Sequence, residues 1–156
     1  MLKDDSTNIK VTITQELVTF FKTYGAANQE KEVCAALGGT IQGNIYNCTN
    51  VFVVPNIAAD PIKTYVPKPD SFLKVLKQTT IYNKDSKLDF LGIFHTHPNN
   101  AAYPSGLDIQ GTGYKGVYLI YSVSEDVLNA FFVEKAKADW KRIHDLEIID
   151  NPQNIN

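Results

Sequence analysis

A chain of 156 residues has room for one domain with a sizeable core and is too short for two comfortable ones. Hydrophobic residues at 44% and charged residues at 21% are ordinary for a globular protein, which excludes a disordered or fibrous chain. The net charge of −2, with no basic stripe, excludes a general nucleic-acid or anionic-membrane binder, and no segment approaches a transmembrane run. The polar start "MLKDDSTNIK" has no apolar signal core, and Cys34 and Cys48 form neither a CxxC pair nor a disulfide framework. These features fit a reducing compartment, so the expected location is the cytoplasm. In that setting the sequon Asn47-Cys48-Thr49 carries no meaning.

In chain order, "NIKVTIT" places Ile9, Val11 and Ile13 on one face at period two and predicts a half-buried strand. Thr14 is the expected cap of a helix with Leu17, Phe20, Phe21 and Tyr24 on its apolar side and Gly25 as its stop. "EVCAALGGTIQGNIYNCTNVFVVPN" predicts two strands joined by a turn near "QGN". The three prolines of "IAADPIKTYVPKP" predict a shaped loop that ends at a helix start. Asp70 or Ser71 would cap that helix, with Phe72, Val75 and Leu76 inward. "LDFLGIF" is a short apolar strand that runs into His95. A helix is expected to begin near Ser105 and to fade by "GTGYKG". "VYLIYSV" and "VLNAFFVEK" predict strands on either side of the acidic turn Ser124-Glu125-Asp126. "WKRIHDLEII" reads as one last edge strand, with a helix over "EKAKADWKRI" as the alternative, and residues 151–156 as a flexible tail. The sum is a single mixed α/β domain over residues 1–150.

The chemistry is concentrated in "FHTHPNNAAYPSGLDI", residues 94–109. On a strand, residues i and i+2 face the same way, so His95 and His97 would project together. Two imidazoles at that spacing suit one zinc ion, and Asp108 supplies a third ligand if the loop 98–104 folds back. Three protein ligands would leave the fourth position open, as a catalytic site requires. Ser105-x-x-Asp108 is equally a helix capping box, and the two readings are compatible because a fixed helix start is a good mount for a ligand. Thr96 points to the other face of the strand and reads as packed, while Pro98 ends the strand. Cys34 reads as core, and His144 as a surface residue that ligates nothing.

The run His95-Thr96-His97-Pro98, followed at fixed spacing by Ser105 and Asp108, resembles the signature of the JAMM (MPN+ or JAB1/MPN) zinc metalloproteases. The upstream "EKEVCAALGG" is similar to that family's glutamate strand through Glu32, Cys34, Leu37 and Gly38, with Ala35 where glycine is usual. The resemblance covers most of the chain, in the form of compact stand-alone prokaryotic or viral members. It implies an α/β MPN (JAB-like, cytidine-deaminase-like) domain with a mixed β-sheet flanked by helices. It also implies Zn²⁺ on His95, His97 and Asp108, Glu32 as general base rather than Glu30, and Ser105 as donor to the oxyanion. The implied reaction is hydrolysis after the C-terminal Gly-Gly of a ubiquitin-like protein, the expected partner. The loop 55–70 and the segment 81–89 are the candidate walls of the substrate channel. A non-catalytic scaffold and a zinc hydrolase of short peptides or small molecules are the alternatives from other classes.

Overall fold

The computed structural model describes residues 7–134 and 139–150. Among the described residues, eight strands and three helices follow one another as β1 (Lys10–Thr14), α1 (Gln15–Ala27), β2 (Cys34–Gln42), β3 (Ile45–Val54), α2 (Pro69–Leu76), β4 (Asp89–His97), α3 (Gly106–Gln110), β5 (Gly116–Ser122), β6 (Val127–Val133), β7 (Trp140–Ile143) and β8 (Asp145–Ile149). The strands form one mixed sheet in the order β7-β6-β5-β4-β2-β3-β1-β8. β1 runs parallel to β3 and β8, and β4 parallel to β5, while the remaining neighbours are antiparallel. This is the expected α/β domain with a mixed sheet flanked by helices.

β7 and β8 lie at opposite edges of that list, yet only His144 separates them in the chain. Both edges must therefore meet, and the sheet curls until they do. Thr7 N–H donates to the Arg142 carbonyl at 3.2 Å, and the rings of Tyr46 on β3 and Phe132 on β6 meet edge-on at 5.6 Å. The curled face encloses α1. Val11, Ile13, Leu17, Phe21, Phe94 and Leu119 are all buried there, and Phe21 stacks on Phe94 at 4.0 Å. The outer face carries a second core in which α2 sets Phe72, Val75 and Leu76 against Phe90, Ile93, Tyr118 and Ile120.

Several expectations are corrected. The segment 140–149 is two strands and not one, because Trp140–Ile143 completes the ladder beside β6 and Asp145–Ile149 the ladder beside β1. Within the helical alternative for 134–143, residues 140–143 are strand, and residues 135–138 lie outside the described residues, as does the expected tail 151–156. Gly25 does not stop α1, which continues to Ala27 and is capped by Asn28. Its missing side chain makes room for β5, since a Cβ there would lie 3.1 Å from Tyr121 Cδ2 and 3.2 Å from Val123 Cγ2. Neither Asp70 nor Ser71 caps α2: Lys68 is the cap residue without a side-chain bond, and Pro69, whose fixed φ suits the first helical position, starts the helix. Thr14 does cap α1, accepting from Leu17 N–H at 3.3 Å.

One irregularity in β4 decides which face the histidines occupy. Against β2 the register jumps from Gly92 to Phe90, leaving Leu91 as an extra residue, and Gly92 has φ +155° with the Val117 carbonyl where a Cβ would stand. A one-residue insertion inverts the alternation of every side chain beyond it. Leu91 accordingly packs in the α1 core, whereas Ile93 packs in the outer core and His95 and His97 follow it outward. Without the bulge both imidazoles would point into the α1 core.

Candidate metal centre

His95 and His97 end β4 and are buried, with Thr96 between them on the opposite face. Pro98 follows directly, also buried, and the chain turns through 99–104 to Ser105. Ser105 caps α3 through a complete capping box. Its Oγ accepts from Asp108 N–H at 3.1 Å, and Asp108 Oδ2 accepts from Ser105 N–H at 2.9 Å. The loop thus folds back, and the box aims Asp108 at the strand end. Glu32, at the entrance to β2, is only 4% exposed and joins them. One ligand atom from each of Glu32, His95, His97 and Asp108 lies within 4.8 Å of all the others. Glu30 is exposed and outside this group.

Three of the atoms form a nearly equilateral triangle. His95 Nε2 and His97 Nε2 are 3.1 Å apart, and Asp108 Oδ2 lies 3.2 Å from the first and 3.1 Å from the second. Ligands about 2.0–2.1 Å from a tetrahedral zinc are about 3.3 Å from one another, so the triangle matches one face of that polyhedron. His97 Nδ1 meets the Ala101 carbonyl at 2.8 Å, and because a carbonyl only accepts, the ring proton sits on Nδ1 and the Nε2 lone pair faces inward. Electron-rich atoms converging in a buried site call for a cation. Glu32 Oε1, His95 Nδ1 and Asp108 Oδ1 are buried without a hydrogen-bond partner. The residues present fit a zinc ion.

The electrostatics of the four groups follow from their burial and their short contacts. Burial opposes the charge on Asp108, but the imidazoles of His95 and His97 and the Ser105 N–H outweigh it and hold the carboxyl below its ordinary range. Burial pulls His95 down, so its neutral form is favoured. Burial also opposes the charged form of His97, but its bonds to Asp108 and Ala101 win and raise it. For Glu32, burial first and the Asp108 charge second push the carboxyl up to about 8. Cys34 lies beside the site as the β-partner of His95, yet it is packed: its thiol donates to the Val54 carbonyl at 3.3 Å, and burial pushes it up to about 12. His144 is exposed.

Other residues around the centre carry no motif. Tyr65, from the loop between β3 and α2, stacks on the His95 ring at 4.3 Å and 27°. Of the candidate walls, this loop touches the site, whereas in 81–89 Tyr82 lines a groove with Pro67, Phe72 and Tyr114. β7 braces both supports of the ligands. Trp140 Nε1–H donates to Thr112 Oγ1 at 2.9 Å, and that hydroxyl donates to the Asp108 carbonyl at 2.9 Å. Arg142 donates to Asn129 Oδ1 at 2.7 Å, and Asn129 Nδ2–H donates to the Ala102 carbonyl at 3.0 Å, next to the carbonyl that holds His97. An indole and a guanidinium on a short edge strand were the only available signals in the sequence, and neither points to a partner.

The fold and the buried His-His-Asp triangle with an adjacent glutamate define a JAB-type domain. Residues 14–134 match the family described as prokaryotic homologs of the JAB domain, and the chain belongs to that family. Among solved structures, a Desulfitobacterium hafniense protein superposes with a TM-score of 0.74 at 24% identity, over 92% of this chain and 96% of that one. A JAB1/MPN domain protein from Archaeoglobus fulgidus superposes with a TM-score of 0.52 at 14% identity, over 93% and 100%. Curated relatives include a probable TtuB-protein conjugate cleaving protease of Thermus thermophilus, 30% identical over 87 residues, which are 56% of this chain and 55% of that protein. A desampylase of Haloferax volcanii is 30% identical over 98 residues, 62% of this chain and 66% of that protein. The chain thus spans between about half and two thirds of the curated relatives it matches. No helix among the described residues is long and apolar enough to cross a membrane.

Proposed function

We propose that this protein is a zinc-dependent isopeptidase or peptidase that hydrolyses the bond after the C-terminal Gly-Gly of a ubiquitin-like protein. The observation that carries the reading is the triangle of His95, His97 and Asp108 ligand atoms with the unpartnered, buried carboxylate oxygen of Glu32 in the same site. The relatives' names, a conjugate cleaving protease and a desampylase, support protein conjugates as the substrate class.

In this reading His95, His97 and Asp108 hold zinc, which when bound supplies Lewis-acid activation of water near neutral pH. Glu32 accepts the proton of the attacking water and returns it to the leaving amine, so one carboxylate serves both halves of the reaction. Ser105 accepts the Asp108 N–H through an oxygen lone pair, which leaves its hydroxyl hydrogen free to donate to the developing oxyanion. A cavity of about 160 Å³ opens beside Asp108, walled by Tyr65, Pro67, Ile93, Leu107 and Tyr114, and gives room for the chain that carries the scissile bond. Glycines next to that bond let the backbone approach the ligands without a side chain in the way.

The test is a panel of ubiquitin-like proteins ending in Gly-Gly, fused to a peptide or joined to a lysine, with and without a strong zinc chelator. Cleavage after the second glycine that stops with chelator is the expected result. Bound zinc without turnover of any fusion would overturn the substrate class in favour of short peptides or small molecules.

A further inference from the structure

Resting on Glu32 as the general base, we propose that Asn56 and Thr96 are positioning residues. They clamp the backbone of Glu32 and Val33 from two sides and so fix the base over the His95-His97-Asp108 triangle. Glu32 Oε1 has no hydrogen bond of its own, so the carboxylate is placed through its main chain. That main chain is held at consecutive peptide groups. Glu32 N–H donates to the Pro61 carbonyl at 2.8 Å, and the Glu32 carbonyl accepts from Asn56 Nδ2 at 2.9 Å. Val33 N–H donates to Thr96 Oγ1 at 3.0 Å, and the Val33 carbonyl accepts from Thr96 N–H at 3.0 Å.

The two sides of the clamp have different references. Thr96 sits between the two ligand histidines, fully buried, and ties the base to the strand that carries them. Asn56 ties it to the loop. Its amide also donates to the Thr64 carbonyl at 3.1 Å and accepts from the N–H groups of Ala58 and Val66 at 3.0 Å each. Two donors and two acceptor sites are the full capacity of a carboxamide, so the side chain is saturated. The loop neck is closed around it by Ile57 N–H to the Val66 carbonyl and Lys68 N–H to the Pro55 carbonyl, both 2.9 Å. The far limb brings Tyr65 onto the His95 ring. Through Asn56, the aromatic wall of the site and the base form one rigid body, so chain pressing on the wall and the group that moves the proton keep a fixed relation.

The chemistry predicts isosteric tests. Thr96→Val removes the acceptor and keeps the shape, whereas Thr96→Ser keeps the hydroxyl. Asn56→Asp keeps the two accepted bonds that shape the loop and loses both donated ones. In the zinc-loaded full chain acting on a Gly-Gly fusion, Thr96→Val and Asn56→Asp should each lower kcat about 10- to 100-fold, the cost of a base displaced by about 1 Å. KM and the zinc-to-protein ratio should stay as in the parent, and Thr96→Ser should restore most of the rate. Placed in a Glu32→Gln background, both changes should lose most of their effect, because they act through the carboxylate. Undiminished effects in that background, lost zinc, or an unchanged kcat would each overturn the clamp. If Glu32→Gln itself costs nothing, the base assignment falls and the clamp with it. If no fusion is turned over, the clamp is judged by amide exchange. The Glu32 N–H, which bonds to Pro61 and to neither altered side chain, should exchange at least about tenfold faster in Asn56→Asp, and unchanged exchange refutes the proposal.

Discussion

The two faces of the sheet obey different rules. The α1 face is apolar and closed: Phe21, Phe94, Leu119 and Ile13 are fully buried against one another, and its few polar side chains have partners. Thr96 bonds Val33 there, and Thr14 caps α1. On the outer face, around the ends of β2 and β4, three buried polar atoms in one site have no partner, namely Glu32 Oε1, His95 Nδ1 and Asp108 Oδ1. Buried polar groups left unpaired each cost about 1–3 kcal/mol, so such a cluster persists only where it is used. The contrast lies at the end of β4, where Phe94 packs on α1 while His95 and His97, on the other side of the same strand, face the site.

The sharpest way to break that contrast is a pair of truncations. His97→Ala should remove most of the zinc and the activity while the protein still unfolds cooperatively near the parent's temperature in the metal-free state. Phe21→Ala, on the other face, should cost about 3–5 kcal/mol of stability and leave the zinc-to-protein ratio of the folded fraction unchanged. Metal analysis combined with thermal melts separates the two, and an unchanged zinc ratio in His97→Ala would remove the ligand assignment.

Next in size is the base. Glu32→Gln should keep zinc and lose about 10²–10⁴-fold in hydrolysis, while Glu30→Gln does little. Steady-state kinetics decide it, and a dead Glu30→Gln variant would move the base two residues upstream.

A smaller effect sharpens the cost of the unpaired carboxyl. Without zinc, burial and then the Asp108 charge push the Glu32 carboxyl up to about 8, from an ordinary value of 4.5. A raised carboxyl means that the folded state binds the extra proton, so its contribution is stabilising only in the protonated form. Stability is lost as pH climbs from about 4.5 and levels off above about 8. Chelated Glu32→Gln should therefore gain on the parent across that window and match it at lower pH, as read from melts at each pH. The smallest expected effect is none at all. A thiol alkylating agent should leave the activity intact, because Cys34 is buried and its thiol is pushed up to about 12. Inhibition that tracks Cys34 modification would contradict its place in the core.

Legibility in the sequence followed the distance over which each feature is decided. The hairpin of β2 and β3, the α1 cap at Thr14 and the Ser105-x-x-Asp108 box are set within a few residues, and each could be read from spacing alone. Gly25 misled because a helix stop and a close helix–strand contact both favour the same residue, and only the presence of Tyr121 and Val123 distinguishes them. Asp70 and Ser71 misled for a related reason: capping preference is local, but Pro69 had already fixed where α2 begins.

The sequence by itself determined the alternation of strands and helices, the pairing of His95 with His97 on one side of a strand, and the aim of Asp108 through its own helix cap. These follow from period, reach and local hydrogen bonding, which operate within one element. Only the tertiary structure decided which face the histidines take, since that depends on the extra residue at Leu91 against β2. It alone split 140–149 between opposite edges, because the ladders left open by β6 and β1 belong to distant parts of the chain. It also brought Tyr65 onto His95 and Asn56 onto Glu32, contacts between segments 30 and 24 residues apart for which no local pattern exists. Local rules place a side chain on its element, and the packing of elements decides what that side chain meets.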